Sequence, residues 1–350
     1  MSLLKQSGEV PVIARAEPNP AWLELCTEEV IEPDLAIVDP HHHVSDGHWG
    51  GYLEDELLKD LGSGHRILST VYIQCGYGYR ETGPNAFRAL GETQKIVALA
   101  ASVQQKTKAQ PLNVCEAIVA YADLSLGEEV EAVLEGQMEV GMGRVRGIRC
   151  SAARHPAFQY GMLTQPPLHL YQDIAFRKGF ACLARYGLSF ESWAFHSQMD
   201  ELYALAKDHP DTVIVINHLG APVGVGPYKN RRAEVFADWS RSLCNLASCP
   251  NTYIKLGGLG MTIFGFDFHQ RDLPPSSLEL AQAWRPYIEE ALEVFGPDRC
   301  MFESNFPVDK GTCSYRVLWN TFKRISRDMS LTEKAQLFRE TAANVYRLSV

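Results

Sequence analysis

The strongest constraint on the fold is an alternation of short apolar runs with segments of helical spacing. Eight runs are rich in β-branched or aromatic residues, and they cover residues 35–39, 70–75, 117–122, 145–150, 188–193, 212–217, 252–256 and 300–305. Most are followed by a stretch with apolar spacing near 3.6, such as 199–209 and 278–295. Residues 213–216 are apolar throughout, which is typical of a parallel strand covered on both faces. Eight such units predict an α/β fold, a (β/α)8 TIM barrel.

The two ends of the chain break this alternation. Residues 1–34 contain four prolines and little periodicity, which predicts an irregular N-terminal arm over the barrel domain of residues 35–350. Near the other end, Ser330 is followed three residues later by Glu333, a pattern typical of a capping box. We therefore expect a C-terminal closing helix over 331–348, outside the barrel.

Charge and composition exclude several classes of partner. The chain has 33 Lys and Arg against 42 Asp and Glu, a net charge of −9, with no basic block, so nucleic acid and anionic membranes are not expected partners. The nine cysteines form no CxxC pair, which favours reduced thiols. With no apolar stretch of the roughly 20 residues that a membrane span needs and no secretion-like segment, we expect a cytoplasmic protein.

The first predicted strand ends in a run of three histidines. Residues two apart in a strand face the same way, so His41 and His43 are predicted to point together, with Asp39 sharing their parity and His42 pointing away. Two converging imidazoles can ligate a divalent metal or hold a substrate carboxylate. A cluster of surface histidines is the structural alternative.

Three more polar residues follow later strands. His196 and His218 come after the fifth and sixth runs, and Arg149 closes the fourth. Gly220 and Pro222 predict a sharp turn that holds His218 in place. The C-terminal ends of barrel strands meet at one face, so these side chains are expected to gather there. The alternatives are hydrogen-bonded linker histidines and an ion pair for Arg149.

The last two strands add charged residues. Glu303 and Asn305 share strand parity in the eighth run, and Asp309 follows in the next loop. Lys255, in the seventh run, is predicted to point into the barrel and pair with Glu303 or Glu191, since a buried lysine needs a partner.

Two loop features bear on the cofactor and on the pocket. The glycines at 76–78 and 257–260 lack the GxGxxG spacing, so no nucleotide cofactor is expected. Aromatic residues in several loops predict a pocket partly lined by rings, with dimer contacts as the alternative. These aromatic residues are Trp49, Tyr77, Tyr79, Phe264, Phe266 and Phe268.

Taken together, the motifs from about Ile37 to Arg347 resemble the amidohydrolase superfamily, in its amidohydrolase-2 branch of TIM-barrel metal-dependent hydrolases. That branch includes sugar lactonases, a 2-pyrone-4,6-dicarboxylate lactonase and decarboxylases. The resemblance implies that His41 and His43 are metal ligands and that Arg149 holds a substrate carboxylate or lactone oxygen. Where the family has an aspartate that activates water, this chain has Asn305. An amide cannot accept a proton at neutral pH, so Glu303, Asp309 or a histidine would have to replace that base.

The resemblance implies a hydrolase of carboxylic esters, in the first place of a lactone of a small organic acid, and the loop aromatics favour an aromatic acid over a sugar. A metal-dependent non-oxidative decarboxylase and a barrel that binds a small ligand without turnover are the alternatives. Bound zinc is an open expectation, and so is a homodimer. The expected catalytic residues are His41, His43, His196, His218, Glu303 and Asn305. The expected substrate-binding residues are Arg149, Trp49, Tyr77 and Asp309, and the expected metal ligands are His41, His43 and His218.

Overall fold

The computed structural model describes residues 10–47, 50–107, 112–161 and 165–350. Eight parallel strands form one sheet, and each pairs with the next along the chain. Numbered along the chain, with β1 (Val12–Ile13) and β6 (Gln159–Tyr160) pairing separately, they are β2 (Ala36–His42), β3 (Arg66–Ile73), β4 (Asn113–Ala120), β5 (Val145–Arg149), β7 (Ser189–Ser192), β8 (Ile214–Ile216), β9 (Thr252–Leu256) and β10 (Cys300–Phe302).

Backbone contacts beyond the end of β10 bring the last strand to the first. The amide of His43 donates to the carbonyl of Phe306 at 2.7 Å, and the amide of Asn305 donates to the carbonyl of His41 at 2.8 Å. With helices around the sheet, this confirms the predicted (β/α)8 barrel. The helices are α1 (Pro20–Leu23), α2 (Glu54–Leu61), α3 (Leu90–Lys106), α4 (Val130–Val140), α5 (Ile174–Arg185), α6 (Met199–Asp208), α7 (Arg232–Ala247), α8 (Ser277–Phe295), α9 (Tyr315–Ile325), α10 (Leu331–Ala335) and α11 (Thr341–Tyr346).

Local sequence signals place several helix boundaries. Ser330 accepts from the amide of Glu333, whose side chain accepts from Ser330 in return, so the predicted capping box is present. Ser314 caps the first turn of helix α9, where its side chain accepts from the amide of Val317. Between α10 and α11 the helix widens into a π-helical segment, Gln336–Glu340. Strands β3 and β4 begin four residues before their predicted runs, each at an exposed polar residue, Arg66 and Asn113 respectively.

The C-terminal helix enters the barrel more deeply than expected. Ala342, Val345 and Tyr346 pack against apolar side chains of the barrel interior, and the Tyr346 hydroxyl donates to Glu191. Glu191 also pairs with Lys255, at 3.0 Å and with both side chains fully buried. The lower half of the barrel is therefore filled by the end of the chain. Of the two partners predicted for Lys255, the one in contact is Glu191. The interior residues from the strands are Val38, Val71, Ile73, Ala117, Val119, Val215 and Met301.

The described part of the N-terminal arm lies across the opposite end. Strand β1 pairs in parallel with β6, in the loop that follows β5. The Thr262 hydroxyl, in the loop after β9, donates to the carbonyl of Ala14 at 2.7 Å. The arm thus joins two loops at the C-terminal mouth of the barrel. Among the described residues, no helix has the length and apolar character needed to cross a membrane.

Candidate active site

The histidine pair at the end of β2 converges as predicted. The Nε2 atoms of His41 and His43 lie 3.2 Å apart, and both side chains are buried. His43 Nδ1 donates to the carbonyl of Ile73 at 2.7 Å, and His41 Nδ1 lies 2.7 Å from Glu303 Oε2. Because each Nδ1 carries the proton, each Nε2 presents a lone pair to the other ring.

Both imidazoles of this pair are held in the neutral form. Burial, reinforced by Lys255, keeps the pKa of His41 well below its usual range. Burial also keeps the pKa of His43 well below its usual range, and Arg149 adds to the effect. Neutral imidazoles favour a role as ligands or proton acceptors over a role as a cationic pair.

The rest of the histidine run departs in part from strand alternation. His42 points outward as expected, with its Nε2 at 2.9 Å from the hydroxyl of Thr70. Asp39 does not face the pair, although it shares their parity, because a register shift between Asp39 and His42 breaks the alternation. Its carboxylate instead accepts from the amide of Ser304 at 3.0 Å and the hydroxyl of Tyr315 at 2.9 Å. Asp39 therefore fastens the junction between the first and last strands.

Glu303 connects two strand ends through one carboxylate. Its Oε1 accepts from His218 Nδ1 at 2.7 Å and from the His218 amide at 3.2 Å. Its Oε2 accepts from His41 Nδ1 at 2.7 Å. All three residues are buried. The carboxylate orients both rings by their Nδ1 atoms and leaves both Nε2 atoms for chemistry.

A run of glycines after β9 makes room for these groups. A Cβ on Gly257 would lie 2.5 Å from Glu303 Cγ, and one on Gly258, whose φ is +73°, would lie 2.5 Å from His218 Nδ1. A Cβ on Gly260 would lie 3.0 Å from the Asp309 carboxyl. His218 itself is left-handed, with φ 51°, in a sharp turn of the kind predicted there. These glycines, which lack the spacing of a phosphate loop, are spacers behind the site.

A cavity of about 420 Å³ opens above these groups. Its floor is formed by strand-end residues, namely His43, Arg149, His218 and Asn305, with His41 and Glu303 beneath. Its wall is formed by loops and the arm, and includes Arg15, Tyr121, Asp123, Tyr160, Gln165 and Trp193. The floor thus lies at the C-terminal mouth, where barrel enzymes carry their sites.

Arg149 is placed on the floor as predicted. Its guanidinium donates to the carbonyl of Gln74 and lies 3.5 Å from His41 Nε2. A guanidinium fixed beside the imidazole pair can donate to a carbonyl or carboxylate oxygen bound there.

Asn305 and Asp309 form a pair behind the floor. Asn305 lines the cavity, and its Nδ2 donates to Asp309 Oδ1 at 2.9 Å. Asp309 is fully buried, also accepts from the amide of Gly260 at 3.0 Å, and is absent from the cavity lining. Burial raises its pKa to about 8. Its contacts make it a support for Asn305 rather than a substrate-binding residue.

Several other predicted site residues lie elsewhere. His196 begins a turn four residues after β7, where its Nδ1 accepts from the amide of Val223 at 3.2 Å. Tyr77 lies under Lys95, whose Nζ is 4.8 Å from the ring centre. Neither residue lines the cavity. Trp49 lies outside the described residues.

The rings that face the cavity differ from those predicted. Phe266 and Phe268 stack on each other, Phe266 also meets Tyr287, and Phe264 is buried nearby. None of the three lines the cavity, and neither does Tyr79. The lining rings are Tyr121, Tyr160 and Trp193. Trp193 directly follows a strand, and Arg149 ends one. Position at a strand end, which predicts Arg149 at the cavity, could therefore also have predicted Trp193 there.

The donor set fits a divalent metal ion. Zinc binds imidazole nitrogen at about 2.0–2.1 Å, so two ligand nitrogens at a tetrahedral angle lie roughly 3.3 Å apart, close to the observed 3.2 Å between His41 and His43. Atoms of His41, His218 and Glu303 that could bind a metal lie within 4.8 Å of one another. Glu303 already engages both Nδ1 atoms, so the imidazole Nε2 atoms are the better donors, with the carboxylate supporting them from behind.

Histidines and a bridging glutamate at the C-terminal mouth of a (β/α)8 barrel are the arrangement of a barrel enzyme. The sequence model of the Amidohydrolase family matches residues 38–348, so the chain belongs to the amidohydrolase family, as the motifs implied. It is 32% identical to the uncharacterized protein y4mH of Sinorhizobium fredii, over 90% of this chain and 99% of that one.

Two further relatives carry more descriptive names. An L-fucono-1,5-lactonase of Burkholderia multivorans is 27% identical, over 66% of this chain and 71% of that protein. The crystal structure of a Burkholderia multivorans amidohydrolase with bound zinc superposes with a TM-score of 0.68 at 22% identity, over 89% of this chain and 99% of the other. The structural likeness supports the barrel fold.

Proposed function

We propose that the protein hydrolyses the ester bond of a lactone, opening the ring to a hydroxy acid. The observation that carries the proposal is the His218–Glu303 pair, in which a buried carboxylate holds Nδ1 at 2.7 Å and turns the ring of His218 to the cavity. A histidine oriented in this way serves as a general base in hydrolysis. Relatives named L-fucono-1,5-lactonase and L-rhamnono-gamma-lactonase, the latter from Scheffersomyces stipitis, support a lactone as substrate.

In the proposed reaction the floor residues divide the work. His218 Nε2 takes a proton from water as the oxygen attacks the lactone carbonyl, and Glu303 stabilises the imidazolium that forms. Arg149 donates to the oxygen that becomes negative, which lowers the barrier because the donor is already in place. When the ring C–O bond breaks, His218 returns the proton to the leaving alkoxide. The sum is lactone plus water giving one hydroxy acid.

Asn305 takes a different part from the aspartate usual in the family. Its amide nitrogen donates to Asp309, so its oxygen remains to accept a hydrogen bond from the attacking water. It orients the water and leaves the proton to His218. A divalent metal ion held by His41 and His43 would add polarisation of the carbonyl and a lower pKa for the water. The zinc in the crystallised amidohydrolase relative supports zinc as that ion.

The test compares two histidines with the same backbone conformation. His218 has φ 51° and His169 has φ 60°, and Asn tolerates this region, so His218→Asn and His169→Asn are matched. His169 lies on the surface, with 68% of its side chain exposed. Acid release from a panel of γ- and δ-lactones should fall roughly 10²–10⁴-fold in His218→Asn and stay unchanged in His169→Asn.

The other outcomes are distinct. Near wild-type turnover by His218→Asn would discard this residue as the base. Release of CO₂ from aromatic acids, without lactone opening, would favour the decarboxylase. Thermal stabilisation by lactones without any product would favour a binding protein.

A further inference from the structure

We propose that Arg15, from the N-terminal arm, binds a carboxylate on the substrate, so that the preferred lactones are those of acids that keep a second, ionised carboxyl group. This deepens the proposed function and in part rests on it. Arg15 lines the same cavity as His218 and Arg149 but comes from the arm, outside the segment 38–348 that matches the family.

The arm is fixed at several points on either side of Arg15. The carbonyls of Pro11 and Ile13 accept from the amides of Gln159 and Gly161 at 2.9 and 3.0 Å. The carbonyl of Ala14, directly before Arg15, accepts from the hydroxyl of Thr262. A Cβ on Gly311 would lie 2.4 Å from the carbonyl of Ala16, so the arm also lies against the loop after β10. Because these contacts lie so close to Arg15 in the chain, they fix its backbone at the wall of the cavity.

The guanidinium itself has a shaped seat. It lies 5.6 Å from the ring centre of Tyr160, within cation–π range. Gly161 leaves space for the side chain, because a Cβ there would lie 2.6 Å from Arg15 Nε. The Tyr160 ring thus contacts the guanidinium, and the absence of a side chain at Gly161 makes room for it at the wall of the cavity.

The charges of the cavity favour one ionised carboxylate. Arg149 is already engaged at the floor by Gln74 and His41, where the lactone carbonyl would lie. Arg15 therefore adds a second cationic group on a different structural element. Asp123 lines the same cavity and disfavours a dianion such as a phosphate ester. A guanidinium fork matches a carboxylate geometrically.

The kinetic experiment uses two lactones that differ only in charge. These are 5-oxooxolane-2-carboxylate and the corresponding carboxamide. Arg15→Gln should raise KM for the carboxylate roughly 10- to 100-fold, as expected for loss of a charge-assisted hydrogen bond, with little change in kcat and little effect on the carboxamide. Arg15→Lys keeps the positive charge and should raise KM for the carboxylate less than Arg15→Gln does. Glu17→Gln, two residues along the arm, is the control for arm charge and should leave both substrates unchanged.

A second variant displaces the guanidinium without removing its charge. Gly161→Ala places a methyl group against Arg15, whereas Gly187, with a similar φ of +60°, has nothing within 4 Å of an added Cβ. Gly161→Ala should lower the preference for the carboxylate over the carboxamide, and Gly187→Ala should not. Equal losses on both lactones in Arg15→Gln, or an unchanged preference in both Arg15→Gln and Gly161→Ala, would overturn the proposal.

Binding separates this inference from the proposed reaction. Calorimetric titration with 3-oxocyclopentane-1-carboxylate, which has no ester to hydrolyse, should give a Kd that rises in Arg15→Gln, while the Kd for its carboxamide stays constant. If the protein opens no lactone but shows this Arg15-dependent binding, the proposed function fails and the carboxylate site stands. If lactones are opened and binding is independent of Arg15, the reverse holds.

Discussion

The floor of the cavity and its wall differ in how their side chains are held. On the floor, Glu303 binds two imidazoles at 2.7 Å each, and His43 is fixed to the carbonyl of Ile73. On the wall, Tyr121 and Arg15 are only half-buried and come from a loop and from the arm. The floor is fixed from behind by buried groups, whereas these wall residues are carried by a loop and by the arm. We infer that the floor determines the reaction and the wall determines the substrate.

The largest effect should come from the carboxylate that supports two rings. Glu303→Gln leaves one oxygen and one NH2 group, so it cannot accept from both His41 and His218. Loss of an orienting carboxylate of this kind costs about 10⁴-fold in a serine protease, and we expect roughly 10³-fold or more here in kcat/KM. Steady-state kinetics with circular dichroism as a folding control checks this. Retention of more than a tenth of the activity would show that the floor does not depend on Glu303.

A smaller loss of activity should follow from adding a side chain behind the floor, against the ring of His218. Gly258→Ala brings a Cβ to 2.5 Å from the His218 ring, and we expect kcat to fall roughly 10²-fold as the ring shifts. Gly143 has a similar φ, +78°, and open space around an added Cβ. Gly143→Ala should therefore cost only backbone strain of about 1 kcal/mol, seen in Tm, with kcat unchanged. Equal kcat values for the two variants would count against a rigid floor.

The burial of Asp309 behind the floor should also affect how the free energy of unfolding depends on pH. The pKa of Asp309 is raised to about 8 by burial, while an aspartate in an unfolded chain titrates near 4. Between these values the folded state binds more protons, so the unfolding free energy of the wild type falls as pH rises, by up to about 1.4 kcal/mol per pH unit. Asp309→Asn removes this titration, so its stability relative to the wild type should rise from pH 5 to pH 8 and then level off.

Denaturant unfolding at several pH values measures this difference. Asp55→Asn, at a side chain that is 89% exposed, is the control and should show no such trend. A constant difference between Asp309→Asn and the wild type across this range would mean that Asp309 is ionised in the folded protein.

The smallest effect is expected on the wall. Tyr121→Phe keeps the ring that lines the cavity and removes a hydroxyl, which should change KM by less than roughly 5-fold and leave kcat as it is. Kinetics on the lactone panel checks this. A fall in kcat as large as that of Gly258→Ala would contradict the inference that the wall determines the substrate and not the reaction.

Much of the floor follows from local sequence. A strand end is signalled by an apolar run, and the barrel brings all such ends to one face, so His41, His43, Arg149 and His218 were predicted to gather. Where the backbone stops being a regular strand, the inference fails. A register shift turned Asp39 aside, and His196 lies four residues beyond β7, where strand parity no longer applies.

The wall depends on contacts between distant parts of the chain. Arg15 lies at the cavity beside two residues of the arm that pair with Gln159–Tyr160, nearly 150 positions later. No local period or cap signals a pairing that short. The glycines at 257–260 do carry a local signal, because closely spaced residues without side chains after a strand indicate that other groups pack against the backbone there.

The tyrosine that fills the lower barrel has a consequence for how a turnover of the proposed reaction would end. Tyr346 and the apolar residues around it close that end within the described part of the chain, so the proposed hydroxy acid would leave through the same mouth by which its lactone entered. Under the proposed function, substrate and product would bind in one cavity with one entrance, and we expect the hydroxy acid to inhibit competitively with the lactone.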